Sequence, residues 1–204
     1  MYYIGLDLGQ AADFTAMCIL EKTEKREYHI RHLKRFQLGT TYPAIVQRLV
    51  ELTDNVLLNK KYQLVVDATG VGRPVVDLLR QAKISTIPVT ISAGDKEAFD
   101  NEMGGWRVPK RILVSNLQVL LQTKILKFAS DIEDIQILVN ELLNFKVKIT
   151  PTGNDTYEAW REGDHDDLVL AMALAAWYAN KYGIAGEPKK KIPNNPWLHL
   201  GPNF

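Results

Sequence analysis

The chain has 204 residues, 46% of them hydrophobic and 24% charged, which suits one globular domain with a sizeable core and leaves too little length for a second full one. Lys and Arg total 25 against 24 Asp and Glu, a net charge of +1, so bulk charge selects no partner and any nucleic-acid surface has to be a local patch. Cys18, the single cysteine, excludes an internal disulfide, "MYYIGLDLGQ" has no signal-peptide core, and the longest apolar run, Leu168–Ala179, is too short to span a bilayer; the expectation is an intracellular chain with no membrane segment.

In chain order, Tyr2–Leu8, Phe14–Leu20 and Tyr28–Leu38 read as three strands joined closely enough for an antiparallel meander. Tyr42–Leu58 places Ile45, Leu49, Leu52 and Val56 at the spacing of an amphipathic helix. "QLVVD" (63–67) is a short buried-type strand, followed by the turn "ATGVGRP", a helix through Leu79 and the strand "STIPVTI". That β-α-β order predicts a right-handed parallel crossover. The polar, glycine-containing "SAGDKEAFDNEMGGW" (92–106) reads as a long mobile loop. Pro109 fits the first turn of a helix with Leu113, Leu117, Leu120 and Leu121 on one face, and Ile135, Leu138, Val139 and Leu142 mark another. "FKVKIT" and "TYEAWRE", separated by "PTGND", predict a β-hairpin. The last helix begins near Asp167, and the Pro-, Lys- and Asn-rich residues 183–204 read as an extended tail after a domain over 1–182.

That last helix poses the chemical question. Leu168–Trp177 has no polar side chain, so the helix is apolar all round and its start is expected to be buried, yet "GDHDD" immediately precedes it. Unpaired carboxylates there lose hydration at a cost of several kcal/mol. One Asp suffices as an N-cap; Asp164, Asp166 and Asp167 together exceed that need. Asp7 and Asp67 each end a strand, and a sheet of this order sets those strands side by side. With Asp166 and Asp167 packed across that edge, the cluster suits Mg²⁺ or Mn²⁺, which prefer oxygen donors. Two such ions about 4 Å apart serve phosphodiester hydrolysis. Singly, each acid also fits a turn or cap role; the joint placement carries the inference.

"GVGRPV" lacks the third glycine of a dinucleotide loop, because Val75 holds that position, and no GxxxxGK[ST] phosphate loop occurs. Its glycines are expected to let the backbone turn tightly beside Asp67. His165 fits a water- or phosphate-orienting role as well as a surface or capping one. Arg107, Lys110, Arg111, Lys124 and Lys127 are the basic side chains available for a phosphate backbone, or for a solvated helix face.

The blocks "IGLDLGQAADFTA", "VVDATGVGRPVVDLL", "VPKRILVSNLQVLLQ", "ELLNFKVKIT" and "GDHDDLVLAMALAAW", in this order, resemble the nuclease domain of tailed-phage large terminase subunits over about residues 2 to 180. The resemblance implies an α/β, ribonuclease H-like mixed sheet flanked by helices, with an extra β-hairpin at 145–162 near the DNA cleft. It implies an endonuclease that cuts double-stranded viral DNA during genome packaging with two divalent metals, in the host cytoplasm. By position, Asp7 matches the first-strand aspartate, Asp67 the second acid, and the Asp166–Asp167 pair the third, with Asp167 favoured as the direct ligand. The implied partners are double-stranded DNA, a packaging ATPase domain or chain, a small terminase subunit and a portal. The packaging ATPase domain usual in this family is missing, so motor activity does not carry over, and an excised domain or a split-gene product is expected. "DLGQAADFT" and "DATGVG" also resemble the paired phosphate hairpins of actin-like or sugar-kinase-like ATP-binding proteins, a fold that is duplicated there. A non-catalytic DNA-binding packaging module is the third alternative.

Overall fold

The structure, a computed structural model, describes residues 1–10, 13–55, 58, 61–102, 104–129, 131–149 and 165–182, with the backbone alone over 145–149. Strands β1 (Tyr2–Asp7), β2 (Ala16–Lys22) and β3 (Tyr28–Arg35) form the expected meander, followed by helix α1 (Tyr42–Thr53). Then come β4 (Tyr62–Asp67), α2 (Gly72–Gln81), β5 (Thr86–Ser92), β6 (Ala98–Asp100), β7 (Gly105–Pro109), α3 (Lys110–Gln122), β8 (Leu126–Phe128), α4 (Ile135–Ile149) and α5 (Asp167–Tyr182). They build one sheet of 8 strands in the order β6-β7-β5-β4-β1-β2-β3-β8. β4 runs parallel to both β1 and β5, as the β-α-β order predicts. Among the described residues, no helix is long and apolar enough to cross a membrane.

Alternation along the central strands divides the core into two layers. Tyr2, Ile4 and Leu6 of β1, with Leu64 and Val66 of β4, face the side covered by α1 and α2. Tyr3 of β1, Val65 of β4 and Ala16, Cys18 and Leu20 of β2 face the other side, where Leu113, Leu117 and Leu120 of α3, Leu138 of α4 and nearly all of α5 pack. Helix α5 is buried from Asp167 through Trp177, as its unbroken apolar composition requires. It lies directly on β1: a Cβ at Gly5 would stand 1.9 Å from the carbonyl oxygen of Ala171. Gly5→Ala is therefore expected to cost about 1–3 kcal/mol by overpacking, read as a lowered melting temperature; an unchanged melt would mean that α5 sits farther from β1.

Three elements differ from expectation. The segment 92–106 is not one loop, because β6 pairs with β7 and β7 runs parallel to β5. Gly105 permits this, since a Cβ there would lie 2.5 Å from the Pro88 carbonyl oxygen, and Trp106 packs edge-on against Trp177 of α5 at 6.0 Å. Residues 145–149, expected as the first strand of a hairpin, continue α4 instead. Leu138, Leu142, Phe145 and Ile149 hold helical spacing, and extending a helix adds a hydrogen bond per residue without a new nucleus. The remainder of that hairpin, 150–162, and the tail at 183–204 lie outside the described residues. β8, not anticipated, is three residues long and runs parallel to β3.

Candidate active site

Asp7 and Asp67 end adjacent strands, with Leu6 and Val66 in register just before them. Residues two positions apart on a strand share a face, so both carboxylates lie on the side of Gly5 and Val65, beneath the start of α5. The row extends sideways: Asp7 pairs with Ala16, and Ala16 with Arg35. Small Ala16 leaves Arg35 free to reach toward α5.

Each strand exit is tied down locally. After β1, the Gly9 amide donates to Thr15 Oγ1 at 3.2 Å and the Tyr42 hydroxyl donates to the Gly9 carbonyl at 2.9 Å. After β4, the Thr69 amide donates to Asp67 Oδ1 at 2.8 Å, while Thr69 Oγ1 accepts from the Ile91 amide of β5 at 2.9 Å. The turn behind Asp67 needs its glycines. Gly70 has φ 57°, and a Cβ at Gly72 would meet the Asp67 carbonyl oxygen at 2.0 Å.

The acids before α5 take their places by ion pairing. Lys110, at the start of α3, holds Asp166 at 2.8 Å. Arg35 holds Asp167 Oδ2 at 3.3 Å, and His165 Nδ1 lies 3.8 Å from the same oxygen. Among the described residues, the side chain that caps α5 belongs to neither aspartate. Glu141, from the middle of α4, accepts the Leu168 and Val169 amides on Oε2 at 3.0 and 3.1 Å.

Electrostatics follow from this crowding. Burial, then the charges of Asp67, Asp167 and Asp166, push the Asp7 carboxyl well above its usual range, against the pull of Lys110. Burial also raises Asp67, although its bonds from Thr69 and with Asp7 oppose the rise. Burial raises Asp167 to about 6 against the opposing pull of Arg35 and His165. Burial raises Glu141 to about 7, opposed by the amides it caps. Acids raised in the folded state take up protons before the unfolded chain does, so the stability these groups contribute without metal is full below their ordinary values and is lost as pH rises through about 6 and about 7. Buried His32, lowered to about 4 by desolvation, works in the opposite direction below its ordinary value, one group against four. With chelator present, the melting temperature should be higher at about pH 5.5 than at about pH 7.5; a flat or reversed profile contradicts the buried cluster.

Of the sequence candidates, Asp7, Asp67, Asp166 and Asp167 gather at one end of the sheet, with Lys110 and His165 beside them. Arg107 and Arg111 turn to acids of the 95–107 segment instead, Asp100 at 3.3 Å and Asp95 at 2.8 Å. Lys127 is exposed on β8 at the opposite sheet edge, with Lys124 just before it. Sequence reasoning missed Arg35 and Glu141. The available signal was Glu141 standing within the apolar stripe of Leu138 and Leu142, where an acid needs a partner.

The four carboxylates offer only hard oxygen donors, the set that Mg²⁺ and Mn²⁺ prefer. Among the described residues no three such side chains are already drawn into a cage; Lys110 and Arg35 take up two of them as counter-charges. The donor chemistry fits a divalent cation.

An antiparallel meander continued by parallel strands, with helices on both faces, is the ribonuclease H-like fold. Residues 4–178 match the terminase RNaseH-like domain family, and the chain belongs to it. The terminase large subunit of Thermus phage G20c is 27% identical over 195 residues, which cover 95% of this chain and 35% of that protein; the chain thus spans about a third of that relative. The crystal structure of the large terminase nuclease from thermophilic phage G20c with bound zinc superposes at TM-score 0.56 with 24% identity, over 88% of this chain and 80% of that one. The human cytomegalovirus terminase nuclease domain, soaked with manganese, superposes at TM-score 0.50 with 14% identity, over 86% and 82%.

Proposed function

We propose that this domain is a divalent-metal-dependent endonuclease that cuts double-stranded phage DNA during genome packaging. The observation that carries the reading is the gathering of Asp7, Asp67, Asp166 and Asp167 at one sheet end, where burial and mutual repulsion push the Asp7 carboxyl up. Negative charge so placed without enough counter-charge is a site for cations. In this reading Asp7, Asp67 and Asp167 are direct ligands of Mg²⁺ or Mn²⁺, and Asp166 joins them from the position that Lys110 holds. Two such ions, when bound, would supply activation of the attacking water and stabilisation of the leaving oxygen.

The chain's own residues do the positioning. Thr69 fixes Asp67, Ala16 clears the path between Asp7 and Arg35, and exposed His165, resting edge-on against Phe14 at 5.0 Å, faces the substrate side. Lys110 attracts a phosphate as well as Asp166; Arg107 and Arg111 contact the DNA backbone after leaving their loop acids. Phosphate contacts carry no base information, so cleavage is weakly sequence-specific. An ATPase domain or chain, a small terminase subunit and a portal would deliver the DNA. The family assignment and the metal-bearing relatives support this reading. The test is incubation of the purified chain with supercoiled plasmid and Mn²⁺, with a chelator control: nicked and linear product only with metal is expected, and intact plasmid in both sinks the nuclease reading.

A further inference from the structure

Arg35 and Glu141 lie beside the acid cluster, and neither belongs to the ligand set proposed above. The Arg35 guanidinium stacks on Phe14 at 3.7 Å, donates to Asp167 Oδ2 at 3.3 Å, and has its Nη1 4.0 Å from Glu141 Oε1. Glu141 is 5% exposed. Its Oε2 accepts both α5 amides, while Oε1 is buried without a hydrogen-bond partner among the described residues. A cap needs only one oxygen, and a neutral glutamine would serve it. A second, unbonded carboxylate oxygen beside a guanidinium is an expense that capping does not explain.

We propose that Glu141 is a positioning residue for Asp167, acting through two links: its Oε2 fixes the first turn of α5, and its charge shares Arg35 with Asp167. A guanidinium divided between two carboxylates is held less firmly by either, so Glu141 keeps Arg35 from neutralising Asp167 outright and leaves that carboxylate available to a divalent cation. The inference rests on the metal site proposed above.

The test compares wild type, Glu141→Gln, Arg35→Gln and the double variant by calorimetric titration with Mn²⁺ alone, alongside circular dichroism and thermal melts. Glutamine can still accept the α5 amides, so the helix start is retained while the shared charge is lost. Glu141→Gln is expected to weaken Mn²⁺ binding about tenfold, the scale of outer-sphere partners at metal sites. With Arg35 already replaced by Gln, the same change should alter binding by less than about twofold, because the competitor is gone. Equal affinity of wild type and Glu141→Gln overturns the proposal, and so does a tenfold loss that persists in the Arg35→Gln background. If Glu141→Gln does not fold, Arg35→Gln alone decides: tighter Mn²⁺ binding than wild type supports the shared guanidinium, and unchanged or weaker binding overturns it. A wild-type chain that binds no Mn²⁺ instead sinks the metal site itself.

Discussion

Replacing Asp7, Asp67 or Asp167 by Asn should each reduce metal-dependent plasmid cleavage to below about one-thousandth of wild type, about 4 kcal/mol of transition-state stabilisation. Asparagine keeps the size and one acceptor oxygen but not the charge, so the fold should survive. At Asp67 the bond from the Thr69 amide at 2.8 Å is available to Asn Oδ1. At Asp7, burial among three other acids makes loss of the charge favourable to folding. Far-UV circular dichroism should therefore match wild type while cleavage disappears. Asp166→Asn should lose less, because Lys110 already engages that carboxylate at 2.8 Å. If any two of the three principal variants cut plasmid at the wild-type rate, the ligand assignment is wrong.

The second large effect is thermal. A cation that binds only the folded state stabilises it by about 2.7 kcal/mol at 100 times its dissociation constant, which for a domain of this size raises the melting temperature by about 5–10 °C. Mn²⁺ should produce such a rise in wild type. Asp67→Asn should melt higher than wild type in chelator, since one repelling charge is removed and the Thr69 bond is kept, and the rise that Mn²⁺ produces should shrink. Asp167→Asn should not gain in the same way, because it takes a partner from buried Arg35. If these aspartates served only as turn and cap residues, each variant would lose about 1 kcal/mol with or without metal. A wild-type melting temperature indifferent to millimolar Mn²⁺ rules out the shared metal site.

Much of this protein is written locally. Two-residue alternation and short apolar runs mark β1 to β5, because a central strand must bury both faces. The unbroken run from Leu168 to Trp177 predicts a helix buried all round, and it is. The carboxylates at the ends of "YYIGLD" and "QLVVD" are neighbours because β1 and β4 are adjacent and parallel, which follows from the order of the elements alone.

What needed tertiary structure is whatever draws its stabilisation from distant residues. Local composition makes 92–106 a loop, yet β5 supplies the hydrogen bonds that turn Gly105–Pro109 into a strand. β8 exists because β3 offers an open edge to a segment too short to show any period. "FKVKI" satisfies both periods, and the helix preceding it decided the outcome. The same holds at the site. Sequence indicates that the start of α5 must be satisfied and offers its own aspartates for the task. The fold instead assigns the cap to Glu141, 27 residues upstream, and sets Arg35, 132 residues from Asp167, as its counter-ion. Strand ends and buried helices are periodic features of a chain, whereas the charge that compensates a buried acid comes from whichever element packs against it.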